Sequence, residues 1–206
     1  MIARVVALAA LLGAVAAAEP IRVLCLGDSL TAGYGLSPNE AWPALAETML
    51  RAQGFDIELV NAGLSGDTTA GGIRRMEWLM KERYDILVLA LGANDALRGL
   101  AVGELERNLQ RIIELARHAN PEIRILLAGM RAPPNMGPEY AAAFDAVFPR
   151  VAERNGVRLW PFMLEGVGGV PELNLEDGIH PNAEGQRRIA EMAAGHLRAM
   201  LEAPGP

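Results

Sequence analysis

Five short runs of aliphatic residues, at 21–26, 57–60, 86–91, 123–128 and, more weakly, 157–162, punctuate the chain. Apolar runs of that length, without polar alternation, read as strands buried on both faces, and such strands belong to parallel sheets covered by helices. Longer segments with helical spacing lie between them, at 41–53, 70–83, 102–119 and 139–155, and a last one at 183–201 follows. Strand and helix in strict turn imply βαβ units with right-handed crossovers, and so a five-stranded parallel sheet in a three-layer α/β/α sandwich. The helix expected at 102–119 carries Glu104 and Glu106 in its first turns and Arg117 and His118 in its last, with Pro121 beyond. Those charges suit the helix dipole and read as capping chemistry rather than as a site.

At 206 residues the chain suits one domain of ordinary size. Its 51% hydrophobic content is uneven, because 16 of the first 18 residues are apolar. Arg4, then an apolar run to Val15, then Ala16-Ala17-Ala18 ahead of Glu19-Pro20 resembles a secretory signal cleaved after Ala18. The run from Val5 to Ala18 is 14 residues, short of the roughly 20 that a spanning helix needs. The expectation is a signal peptide at 1–18 and a single domain at 19–206, free in the periplasm or outside the cell. Without the signal, 18 basic residues face 25 acidic ones, a net charge of −7, and no basic block exceeds two residues. Phosphate neutralisation along a nucleic acid is not what such a surface offers. Cys25 is the single cysteine, so it closes no disulfide within the chain, and with three dispersed histidines it builds no zinc spacing.

Parallel strands send the loops at their carboxyl ends to one edge of the sheet, where ligands bind. The loop after the first run reads Gly27-Asp28-Ser29-Leu30, and the next reads Asn61-Ala62-Gly63-Leu64-Ser65-Gly66-Asp67. The third carries Gly92-Ala93-Asn94-Asp95, and the long segment after the fifth carries Asp177-Gly178-Ile179-His180-Pro181. Taken singly, each has a plainer reading. Ser29 suits a strand-to-helix turn, and Asn94 a cap. Gly63 and Gly66 suit tight turns, Asp67-Thr68 a helix start, and His180 before Pro181 a helix boundary. Converging on one edge, they are the parts of an acyl-transfer site: a hydroxyl to activate, donors for an oxyanion, and an oriented imidazole.

The order and wording of the four loops resemble the GDSL, or SGNH, hydrolase family over nearly the whole chain after the signal. Gly27-Asp28-Ser29-Leu30 matches the block that supplies the family's serine nucleophile. Gly66, within Ser65–Thr68, matches the glycine whose N–H serves the oxyanion hole, and Asn94 the asparagine whose amide does the same. Asp177-Gly178-Ile179-His180 matches the last block, with the general base and its carboxylate. Within the family the chain looks most like the periplasmic thioesterase I, arylesterase and lysophospholipase group. Gly63 stands where close relatives often carry Ser, and Ala93 where they often carry Gly. The resemblance implies a flavodoxin-like SGNH fold and a serine esterase: Ser29, His180 and Asp177 catalytic, with Ser29, Gly66 and Asn94 around the oxyanion. No metal or cofactor is called for.

The implied substrates are small-molecule esters or thioesters with short to medium acyl groups, aryl esters, and lysophospholipids, handled by a monomer. Leu30, Leu64, Leu97, Leu100 and the 130–136 loop are candidates to line an acyl groove, against ordinary loop packing. Small acetyl esters of carbohydrates are an alternative in the same family. From other classes the rivals are a nucleotide- or flavin-binding module and an inert secreted binding protein. Against the first, the chain holds no Gly-x-Gly-x-x-Gly and no phosphate-loop Gly-Lys pair.

Overall fold

A computed structural model describes residues 19–203; the expected signal segment lies outside the described residues. Strands β1 (Ile21–Gly27), β2 (Ile57–Gly63), β3 (Ile86–Ala90), β4 (Arg124–Ala128) and β5 (Arg158–Trp160) form one sheet in the order β2-β1-β3-β4-β5, every pair parallel. Val23, Leu24, Leu26, Ile86, Leu87, Leu89, Leu126 and Leu127 are buried, as unalternated aliphatic strands must be when both faces are covered.

The helices are α1 (Ser29–Ala32), α2 (Trp42–Ala52), α3 (Thr69–Leu79), α4 (Ala93–Leu97), α5 (Val102–Ala119), α6 (Pro138–Asp145), α7 (Val147–Asn155) and α8 (Ala183–Glu202). α2 packs with α8 and β2 on one face of the sheet, while α3, α5 and α7 lie side by side on the other. α5 shows why: Leu105, Leu109, Ile112, Ile113 and Ala116 recur at helical spacing and are all buried. Each large aliphatic among them contributes about 1.5–3 kcal/mol by leaving water.

Several expectations are revised. The helix expected at 139–155 is two, because Pro149 has no N–H to offer the carbonyl of Asp145 and its ring crowds that carbonyl, so the chain bends at Ala146. Glu106 does more than meet a dipole: it pairs with Arg150 at 2.7 Å and Arg154 at 2.9 Å, tying α5 to α7. The short helices α1 and α4 fall inside segments expected as loops, and both begin at the carboxyl edge of the sheet.

Chain order decides where a site can form. From β1 the chain moves outward to β2 over one face, then returns across the other face to β3. The exits of β1 and β3 therefore diverge and leave a crevice between them at the carboxyl edge. Ser29 follows β1 and Asn94 follows β3.

Candidate active site

Ser29 opens α1, and the preceding Asp28 is its cap, with Oδ1 accepting the Leu30 N–H at 3.0 Å. Four-residue helices rarely stand alone, and this one is fastened from behind. Gln186, buried on α8, accepts the Trp42 N–H at 2.8 Å and donates to the Leu30 carbonyl at 3.1 Å. Asn61 at the end of β2 donates to the Thr31 carbonyl at 2.9 Å. The serine is thus held on rigid elements.

His180 arrives from the long loop after β5. An antiparallel bridge between Asn174 and Pro181 closes that loop, with Leu175 N–H donating to the His180 carbonyl at 2.7 Å. His180 Nε2 lies 3.0 Å from Ser29 Oγ, and Nδ1 lies 2.7 Å from Asp177 Oδ2. The other carboxylate oxygen of Asp177 accepts the backbone N–H groups of Ile179 and His180, both at 2.9 Å. Those bonds, the His180 backbone first and its ring next, hold the Asp177 carboxyl down at about 2. An anion there accepts a hydrogen bond from Nδ1–H, which keeps the proton on that nitrogen and leaves Nε2 free to accept from the serine hydroxyl.

On the other side, Asn94 in the first turn of α4 donates its amide to the Asp67 carbonyl at 2.9 Å and to Asp28 Oδ2 at 3.3 Å. Gly66 precedes Asp67 with φ 79°, a left-handed turn suited to glycine. Arg75 of α3 anchors the group, donating to Asp67 Oδ2 at 2.8 Å and to the carbonyls of Ala62 at 2.8 Å and Gly27 at 3.2 Å. Arg98 Nη2 reaches the Gly66 carbonyl at 2.7 Å. Asp95 bonds the Thr69 hydroxyl at 2.5 Å and Thr69 N–H at 2.9 Å at the start of α3. Burial pushes the Asp28 carboxyl up to about 6, opposed by the Leu30 N–H, His180 and Asn94. Burial likewise raises the Cys25 thiol, which sits inside β1 away from solvent and is no nucleophile.

Ser29, Gly66, Asn94, Asp177 and His180 all meet at this edge, but the apolar residues singled out in the sequence divide. Leu64 and Leu97 are half exposed beside the site, whereas Leu30 is buried in the core and Met130 with it. The Leu100 carbonyl accepts the Tyr140 hydroxyl at 2.9 Å. Tyr34 and Ile179, unremarked in the sequence, are also half exposed on the loops of the site. Arg75 and Tyr34 escaped notice, and Asp28 and Asp67 were read only as parts of their loops, because their roles are contacts across the chain. Only the placement of Tyr34 between two glycines was a local hint. His118 lies in the last turn of α5, and His196 on α8 lies tilted against Trp160, 5.4 Å between ring centroids. Among the described residues, no group of three or more His, Cys, Asp and Glu could hold a metal ion. A cavity of about 520 Å³ between Arg117, Arg124, Arg158 and Met200 opens at the opposite, amino-terminal edge and holds none of these groups.

The family model of GDSL-like lipases and acylhydrolases matches residues 25–188. The chain belongs to that family. Esterase TesA of Pseudomonas aeruginosa is 41% identical over 180 residues, 87% of this chain and 89% of the relative. The arylesterase of Vibrio mimicus is 38% identical over 177 residues, 85% and 88% of the two chains. The crystal structure of TesA superposes with a TM-score of 0.82 at 40% identity, over 87% of this chain and 99% of that one. Esterase EstA from Pseudoalteromonas sp., solved with monoethylphosphonate as inhibitor, gives 0.84 at 32% identity, over 89% and 100%. This GDSL acylhydrolase is therefore an enzyme of the serine hydrolase class, built on the α/β sandwich of its structural neighbours.

Proposed function

We propose that the enzyme hydrolyses carboxylic esters through an acyl-enzyme on Ser29, and the observation that carries this reading is the Ser29–His180–Asp177 relay at 3.0 and 2.7 Å. As Ser29 Oγ bonds the carbonyl carbon, its proton passes to His180 Nε2 and the π electron pair moves onto the carbonyl oxygen. That oxygen is received by the N–H groups of Ser29 and Gly66 and by the amide of Asn94, which exchanges its long 3.3 Å bond to Asp28 Oδ2 for one to the oxyanion. His180 then protonates the departing alkoxide or thiolate. Water repeats the cycle against the acyl group, with His180 again the base. Asp177 stabilises the imidazolium at both stages.

Leu64 and Leu97 favour acyl chains beyond acetate, and aryl esters, thioesters and lysophospholipids fall within that range. The names of the relatives, esterase and arylesterase, support ester chemistry. One chain supplies the whole relay and both flanking donors, so the enzyme works as a monomer. Residues 1–18 act as an export signal cleaved after Ala18, which places the mature enzyme in the periplasm or outside the cell.

Intact mass after treatment with a fluorophosphonate is the test. The expected result is one adduct, mapped to Ser29 and lost in His180→Ala. An unmodified protein would overturn the mechanism. With a series of nitrophenyl esters, an optimum at acetate and collapse by hexanoate would remove Leu64 and Leu97 from acyl binding and favour small acetyl esters.

A further inference from the structure

The turn that leaves α1 lies against the loop that carries the base. α1 closes at Gly33, left-handed at φ 75°, and the N–H groups of Gly33 and Tyr34 both donate to the Ser29 carbonyl at 3.1 Å. Gly35 is left-handed as well, at φ 78°. Tyr34 is thus set between two glycine turns, with its backbone tied to the nucleophile's own residue. Its ring lies 4.3 Å from the His180 imidazole, centroid to centroid, at an interplanar angle of 33°. A second approach lies beside it: Gly35 faces Leu175 of the base-bearing loop, and a Cβ there would stand 2.9 Å from the Leu175 Cδ1 side-chain tip. Leu175 is the residue whose N–H holds the His180 carbonyl.

This arrangement answers a geometric need. The bonds to Asp177 and Ser29 leave from opposite nitrogens of the ring, so the imidazole can still rock about the line that joins them. A flat wall against one face removes that freedom. The same wall is the negative face of an aromatic ring, and it lies against a group that turns cationic each time a proton leaves Ser29 or the attacking water. Asp177 meets that charge in the ring plane, and the Asp28 carboxyl lies near enough to interact with it electrostatically.

We propose that Tyr34 is a positioning residue for the general base, holding the plane of His180 and stabilising its imidazolium by stacking. It exchanges no proton and acts only through His180. The assignment rests on Ser29, His180 and Asp177 forming the triad.

The test compares wild type with Tyr34→Phe, Tyr34→Leu and Tyr34→Met in nitrophenyl acetate turnover and in the rate of inactivation by a small fluorophosphonate, with thermal unfolding recorded for each. Tyr34→Leu and Tyr34→Met, which keep bulk without a ring, are expected to lose about 10-fold in kcat and in inactivation rate, with KM within about 3-fold of wild type. Tyr34→Phe, which keeps the ring, recovers most of both losses. Two ring-free variants are included so that one failing to fold leaves the other to decide. Inactivation of both ring-free variants at the wild-type rate, or a change confined to KM, would overturn the proposal. So would a Tyr34→Phe variant as slow as Tyr34→Leu, since the hydroxyl rather than the ring would then matter. A wild-type enzyme that resists the fluorophosphonate would instead remove the triad itself.

Discussion

His180 places its Nε2 3.0 Å from Ser29 Oγ although 151 residues separate the two in the chain. Groups that act as one unit lose their function together. Ser29→Ala and His180→Ala should each lower kcat by about 10⁴-fold or more, and the double variant should be no worse than either alone. Multiplying losses in the double variant, read from steady-state ester hydrolysis, would show that the two act separately.

Asn94 has its amide on the Asp67 carbonyl and beside Asp28, where the proposed mechanism puts the oxyanion. Asn94→Ala should cost roughly 10²–10³ in kcat, the usual effect of deleting one such donor, with the unfolding midpoint little changed. Wild-type turnover would take Asn94 out of the mechanism.

Arg75 supports the same crevice from beneath. Its partner Asp67 keeps 8% of its side chain exposed, so removing the guanidinium strands a nearly buried carboxylate. Arg75→Leu should therefore lose about 3–5 kcal/mol in urea unfolding, and adding Asp67→Asn should restore part of it. If Arg75→Leu unfolds at the wild-type urea concentration, the network contributes nothing to stability.

Asp28 gives the fold a pH dependence of known sign. Its carboxyl takes a proton near pH 6 when folded and near 3.8 when unfolded, because burial disfavours the charge. Between those values the folded state binds more protons, so stability falls as pH rises through that window and stays lower above it. The difference is on the order of 3 kcal/mol at neutral pH and vanishes below pH 3.8, where both states are protonated. Asp28→Asn keeps a capping oxygen and discards the charge, so it should unfold at higher temperature than wild type at pH 7.5 and match it at pH 3.5. Equal midpoints at pH 7.5 would refute the buried charge as a cost.

Much of this was readable along the chain. Aliphatic runs without alternation can be satisfied only by a sheet covered on both faces, and intervening helices force its strands parallel, so the layers and the edge that gathers the loops follow from pattern alone. Ser29, Gly66, Asn94, Asp177 and His180 stood out because each sits in a loop leaving that edge, in wording that resembles one family. Even so, Leu30, beside Ser29 in sequence, faces the core rather than the crevice. Orientation at the first turn of a short helix depends on what fastens it from behind, and here Gln186 of α8 holds the Leu30 carbonyl. The split between α6 and α7 was written in Pro149, whose missing donor an amphipathic count overlooks.

What the sequence determined by itself was therefore the architecture and the parts of the chemistry, since both rest on local pattern and on which residue types stand at strand ends. The tertiary structure alone decided which carbonyls Arg75 would bind, how Asp28 would lose its water, and that Tyr34 would lie on the face of His180. Those are relations between segments tens to more than a hundred residues apart, set by packing distance and burial, and no spacing along a chain encodes them.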